Sequence, residues 1–405
     1  MSGTSDRSPH HPPVTDWIND FDHTDYAWTK DPYPIWALMR AAAPIVHTDR
    51  FLGCYMPTTY EAVREIAYDT DHFSSRRILV QDERPEIKHP APPITTDPPE
   101  HKAAKQPLLA PFAPAAVKAL EPRVRNICNE LIDGFIAKGE CDAAIQFSKY
   151  VSVRTIAHMM GIPEEDGELF IKWIHEFLVL GITDRASLMR AFFEMNDYFS
   201  GQIEERRLRK SDDLISTLMT TTGEDGSLLN DSHILGTLRL ILVAGIDTTW
   251  SAIGAALWHL AQTPSDRERL VAEPQLMSSA VEEFLRAYAP VTMAREVVKE
   301  TIVAGCPMKP GNMVLLSFPA ANRDPSVFPD ADKVIIDRTE NRHVAFGLGI
   351  HRCIGSHLAR MEIAIALEEW LKRIPNFSLV PGEAVLWSEG TVRGPRRLRL
   401  RFGRA

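Results

Sequence analysis

One cysteine set among spaced glycines dominates the chemistry this sequence can support. Phe346-Gly347-Leu348-Gly349-Ile350-His351-Arg352-Cys353-Ile354-Gly355 runs into an apolar, helix-forming stretch from Leu358 to Leu371, so Cys353 falls at or just before a helix N-terminus. First-turn N–H groups and the positive end of the helix dipole favour a thiolate there, which makes the sulfur a metal ligand. Gly347, Gly349 and Gly355 permit backbone angles and close approaches that side chains block, so a flat group can lie against the loop. Phe346 can pack over the sulfur and keep water out. A zinc site from His351, Cys353 and His357 would use the same stretch, but it lacks a paired Cys-x-x-Cys and a clear fourth ligand.

A second chemical centre lies in a long apolar segment. The pattern predicts a helix from Asn230 or Asp231 to about Gln262, roughly 45 Å long at the helical rise. Its middle reads Ala244-Gly245-Ile246-Asp247-Thr248-Thr249. Small residues leave room beside the helix, and an adjacent acid and alcohol can hold a water and pass protons. Two blander roles use the same residues: Thr248 bonding back to its own helix, and Asp247 capping a second helical half after a break at Gly245. The charges at Asp247 and the hydroxyls around it also argue against a membrane span and for a buried core helix. Farther on, Glu283 and Arg286 stand three apart on a predicted helix, Ser279 to Ala287, and face each other.

Together these segments resemble the cytochrome P450 family, whose haem-binding loop has Phe, Gly, Gly, His or Arg, Cys and Gly at the spacing of residues 346–355. The resemblance covers nearly the whole chain, with matches near residues 97, 212, 244, 283, 295, 321 and 346 in order. It implies a mainly α fold with a smaller β-rich lobe, and haem b buried between the long helix and the helix after the cysteine loop. Cys353 would be the axial iron ligand. Thr248 and Asp247 would manage protons beside Ala244 and Gly245. His101, Arg295 and His351 would bind the haem propionates, with Lys105 standing where arginine is commoner. Glu283, Arg286 and Arg338 would form a structural network, and Val291, Thr391 and Val392 would border the substrate.

The implied activity is monooxygenation: O2 is activated at the haem and one oxygen enters a small or medium apolar molecule, by hydroxylation or oxidative dealkylation. No flavin or ferredoxin module is recognisable in 405 residues. Electrons would therefore come from NAD(P)H through a reductase and a ferredoxin-type donor, docking on the basic residues Arg342, Arg352 and Arg360. A peroxide-driven peroxygenase is the alternative within the family. A non-catalytic haem or zinc binder is the alternative outside it.

Composition agrees with this frame. The formal charge of −9 and the lack of a basic tract exclude a nucleic-acid-tracking role. Five scattered cysteines suit a reducing cytoplasm better than a disulfide framework. The chain reads as one domain and a monomer, with no membrane anchor, and residues 1–30 as a loosely ordered arm. Asp31-Pro32 opens a short helix, and Ile45–His47 and Cys54–Met56 form a strand pair. Thr58 with Glu61 makes a capping box. Val80 to Pro99 is proline-rich and irregular, as loops that contact substrate are. Strands are expected at Val291–Met293, Val297–Val298, Thr301–Val303 and Met313–Ser317, and again between Phe377 and Phe402.

Overall fold

The computed structural model describes residues 11–84, 90–182, 184–209, 211–223, 226–388 and 390–403. The helical lobe is built round the helix Asp231–Gln262. Asn230 caps it by accepting from the N–H of His233, and it ends where Thr263-Pro264 starts a new helix. It runs without the break at Gly245 that a capping role for Asp247 would need. The helices Lys149–Met160 and Ser356–Arg373 pack against it. Of its most apolar 18-residue window 72% is buried inside the protein, so its hydrophobicity is that of a core helix. Two large apolar clusters flank it, one around Trp370 and Phe147, the other around Trp173 and Phe199.

The β-rich lobe is a five-stranded sheet. Its strands are ordered Ile45–Thr48, Cys54–Pro57, Met313–Ser317, Thr292–Val297, Phe73–Ser74. All neighbours are antiparallel except Cys54–Pro57 with Met313–Ser317. Where two short strands are expected at 291–293 and 297–298, one continuous strand, Thr292–Val297, forms instead and sets Arg295 opposite Val314. Near the C-terminus Arg399–Phe402 pairs with both Glu140–Asp142 and Phe377–Leu379. Leu386–Trp387 and Pro395–Arg397 make a separate hairpin.

Two local expectations shift. Residues 11–30 are no loose arm: Phe21 is fully buried, Trp28 packs edge-on to Trp36, and Arg50 bridges Asp20 and Asp22. The helix after residue 58 is capped by Thr59, which accepts from Ala62 N–H, because the Thr58 hydroxyl donates to Ala43 O at 2.6 Å. The irregular proline-rich stretch is as expected where described; residues 85–89 lie outside the described residues.

Candidate active site

The cysteine loop is held by its own backbone. Gly347 N–H donates to Val344 O, and Cys353 N–H donates to Phe346 O at 2.8 Å. Gly347 and Gly349 have φ of +67° and +65°, a region closed to most side chains, so these two glycines set the path of the loop. Gly355 is different. A Cβ there would meet Cys353 Sγ at 3.8 Å and the Phe112 ring at 3.9 Å, ordinary contacts, so nothing within the protein requires glycine. The helix begins at Ser356, leaving Cys353 just outside its N-terminus. Burial pushes the thiol up, against the Gly355 N–H and the charges of Lys105, Arg352 and Arg360. The residue as a whole is nevertheless exposed.

Basic groups converge beside the cysteine loop. His101 on the helix Glu100–Leu109 stands edge-on to His351, with ring centroids 4.5 Å apart. Burial, then the charges of Arg295, His101 and Lys105, hold His351 down to about 3, and its Nε2 is buried without a partner. Arg295 is 5% exposed, and burial lowers it to about 10. Its Nη1 donates to the neighbouring carbonyl of Ala294 at 2.7 Å. The nearest carboxylate, Asp97, is engaged by the Ser75 N–H at 2.8 Å and by the Ser74 hydroxyl. Buried cations without a counter-charge are costly, so this edge fits a group that brings carboxylates of its own, as the propionates of haem do. Lys105 differs from expectation. Its ammonium donates to Ile350 O at 2.6 Å and Arg352 O at 3.0 Å, tying its helix to the cysteine loop.

The long helix carries the second predicted set of residues. Ala244 is exposed and Gly245 and Thr248 half-exposed in the middle of an otherwise buried element. Thr248 Oγ1 donates to Ala244 O at 2.7 Å, leaving the hydroxyl oxygen free to accept from the cavity. Gly245 serves packing: a Cβ there would sit 2.5 Å from Ile156 Cδ1. Asp247 is buried and turned away from the Thr248 side. Its Oδ1 accepts from Arg396 Nη2 at 2.7 Å. Burial raises Asp247, opposed by the charge and hydrogen bond of Arg396 and by the charge of His175.

The other predicted residues fall in three groups. Glu283, Arg286 and Arg338 come together in the interior: Glu283 accepts from Arg286 Nε and Nη2, both at 2.8 Å, and from Arg338 Nε at 3.0 Å. Val291 and Val392 form a β-bridge, and Thr292 N–H donates to Thr391 O, so the two expected substrate-bordering segments meet. Of the three docking arginines, Arg342 and Arg352 are exposed. Arg360 is not a free surface charge. It pairs with Glu282 at 2.5 Å and lies 4.4 Å over the Phe346 ring, so it braces Phe346. Burial would raise Glu282, but Arg360 and His343 hold it down to about 2. His357 is exposed, and no group of three metal-ligating side chains occurs among the described residues, which leaves the zinc alternative without ligands. Sequence reasoning missed Arg396 and also Glu362, a fully buried glutamate on the helix after the cysteine loop.

Comparison with known proteins places this geometry. The family model for cytochrome P450 matches residues 54–391. The mycinamicin IV hydroxylase/epoxidase of Micromonospora griseorubida is 34% identical over 354 residues, 85% of this chain and 88% of that one. The vitamin D(3) 25-hydroxylase of Pseudonocardia autotrophica is 32% identical over 92% of this chain and 94% of its own. CYP109E1 from Bacillus megaterium, solved with testosterone, superposes with a TM-score of 0.86 at 32% identity, covering 92% of this chain and 98% of that chain. The fold is that of the haem-thiolate monooxygenases. The chain belongs to the cytochrome P450 family, with haem as cofactor and with small organic molecules, O2 and redox partners as its reactants.

Proposed function

We propose that this cytochrome P450 hydroxylates or oxidatively dealkylates a small or medium apolar molecule in the cytoplasm, as a monomer, with electrons passed from NAD(P)H through a ferredoxin-type donor. The observation that carries the reading is the gathering of the bases His101, His351 and Arg295 beside the Cys353 loop, together with a long core helix left uncovered at Ala244 and half-covered at Thr248. Haem b bound there supplies activation of dioxygen, one atom entering the substrate and the other leaving as water. Cys353 would ligate the iron, and the three bases would pair with the propionates. Phe346, braced by Arg360, would keep water from the sulfur. Thr248 would hold a proton-bearing water at the cavity wall, and Asp247 would accept a proton from the solvent side and hand it inward.

The Val291, Thr391 and Val392 segments would border the substrate. Similarity to proteins named for vitamin D(3) and testosterone supports an apolar occupant. Arg342 and Arg352 would face an acidic ferredoxin, steering its approach. The test has two parts. The haem-loaded protein reduced under carbon monoxide should show the strongly red-shifted Soret band of a thiolate ligand; its absence overturns the reading. Turnover with NADPH, ferredoxin and reductase should exceed turnover with hydrogen peroxide; the reverse would establish the peroxygenase alternative.

A further inference from the structure

The C-terminal hairpin does more than border the cavity. Its strands, Leu386–Trp387 and Pro395–Arg397, are held together by Ser388, whose hydroxyl donates to Val392 O at 2.6 Å and accepts from Gly394 N–H at 2.8 Å. At one end Val392 bridges Val291. At the other, Gly394 lies so close to Ser251 that no side chain fits, and Pro395 packs on Gly254. The hairpin is thus pressed along the long helix one turn beyond Asp247. From there Arg396 reaches back: Nη2 donates to Asp247 Oδ1 at 2.7 Å, Nη1 donates to Ser251 Oγ at 3.0 Å, and the guanidinium covers the Trp250 ring at 4.3 Å. Three contacts fix its position. The Asp247 side chain is only 4% exposed, and Arg396 is its one ion-pair partner among the described residues.

We propose that Arg396 is a positioning residue for proton delivery: it holds Asp247 as an oriented carboxylate and ties it to the hairpin that borders the substrate cavity. The inference rests on the reading of Asp247 as the proton carrier. In each cycle Asp247 takes one proton from the solvent side and gives one to the cavity, returning to carboxylate, so nothing is consumed at this residue. Arg396 never carries the proton. It sets the pH range in which Asp247 is empty and able to accept. The charged or titratable groups acting on Asp247 are Arg396 from the hairpin and His175, an exposed histidine on the helix Gly167–Leu178; Ser251 on its own helix is neutral. Arg396 is the only one of these that is charged at every working pH. A buried carboxylate that loses its cation is driven to the neutral acid.

The test uses the haem-loaded protein and its Arg396→Ala, Arg396→Lys and Asp247→Asn variants. Infrared titration follows the protonated-carboxyl band that disappears in Asp247→Asn. Arg396→Ala should move the midpoint of that band up by about one pH unit or more, a tenfold change in proton affinity, and Arg396→Lys should restore most of it. The acid limb of the pH profile for NADPH oxidation, driven by ferredoxin and its reductase without added organic substrate, should move by the same amount. An unmoved infrared midpoint in Arg396→Ala overturns the proposal. So does a loss of oxidation that is equal at every pH and is not relieved by lysine, which is the signature of a merely structural contact. If Asp247→Asn oxidises NADPH like the wild type, the proton-carrier reading fails by itself, and the infrared shift still decides whether Arg396 governs Asp247.

Discussion

Replacing Glu283 by glutamine is the sharpest probe of what holds the haem side of this protein together. Its carboxylate is fully buried and accepts five hydrogen bonds: two from Arg286, one from Arg338 Nε, one from Ile335 N–H at 2.8 Å and one from Asn341 Nδ2 at 3.2 Å. Arg286 is equally committed, its remaining N–H groups donating to the carbonyls of Asn322, Ala331 and Lys333. Glutamine keeps the volume but removes the charge and turns an NH2 towards guanidinium donors. Two buried arginines then share no anion. Breaking a buried pair in this way costs about 3–5 kcal/mol, a fifth or more of the roughly 5–15 kcal/mol that typically holds a domain folded. Arg338→Met should cost less, about 1–3 kcal/mol, because Glu283 keeps Arg286 and two neutral donors. Urea unfolding followed by tryptophan fluorescence and by loss of the Soret band gives both values. A loss under about 1 kcal/mol for Glu283→Gln, or a larger loss for Arg338→Met, would refute the reasoning.

Other substitutions test separate parts of the site. Thr248→Ala removes a hydroxyl whose bond to Ala244 O matters little for folding, so melting should change by no more than about 1 kcal/mol while NADPH consumption is diverted to peroxide about tenfold or more; unchanged peroxide yield would remove Thr248 from proton handling. Arg352→Glu should raise the KM for ferredoxin, the effect fading as salt is raised, and an unchanged KM at low salt would exclude the residue from docking. Arg360→Ala should instead lower the melting temperature by freeing Glu282 and Phe346, with ferredoxin KM little altered. Glu362→Gln should stabilise the protein at neutral pH. Burial raises this carboxyl well above its ordinary value, opposed only in part by the neighbouring Thr155 hydroxyl, which donates to Val151 O at 2.7 Å. A group raised by folding favours the folded state below its unfolded value, near 4.5, and that benefit is lost as pH climbs through the folded value. The variant's advantage in melting temperature should therefore be absent at pH 4 and grow towards pH 8; a gap independent of pH would show that Glu362 is not held protonated.

What could be read from the sequence divides by the range of the interactions involved. The cysteine loop was legible because its requirements are local: glycines at positive φ, a sulfur just before a helix, an aromatic to cover it. The long helix was legible to within a residue or so at both ends, since Asn230 and Thr263-Pro264 are start and stop signals within one turn. Single-residue slips occurred where two hydroxyls compete, as at Thr58 and Thr59, and the winner depends on Ala43, which the local pattern does not show to be near. Residues 11–30 read as patternless because Trp17, Phe21 and Trp28 bury against Phe51 and Trp36 without forming a periodic face.

Arg396 was out of reach for a physical reason. In Pro395-Arg396-Arg397-Leu398-Arg399 it looks like one of several solvated strand arginines, and its neighbours behave that way, Arg397 meeting Glu383 and Arg399 meeting Glu140 at the surface. What singles it out is a partner 149 positions away in sequence, brought beside it only because Gly394 lets the hairpin lie flat on Ser251. The same holds for Glu283 with Arg338 and for Lys105 with Ile350. In each case a charge whose local context looks ordinary becomes specific through a distant glycine, turn or carbonyl. The chemistry at the cavity is therefore carried by short motifs. The protonation states and orientations that let those motifs act are set by pairings that only the assembled fold creates.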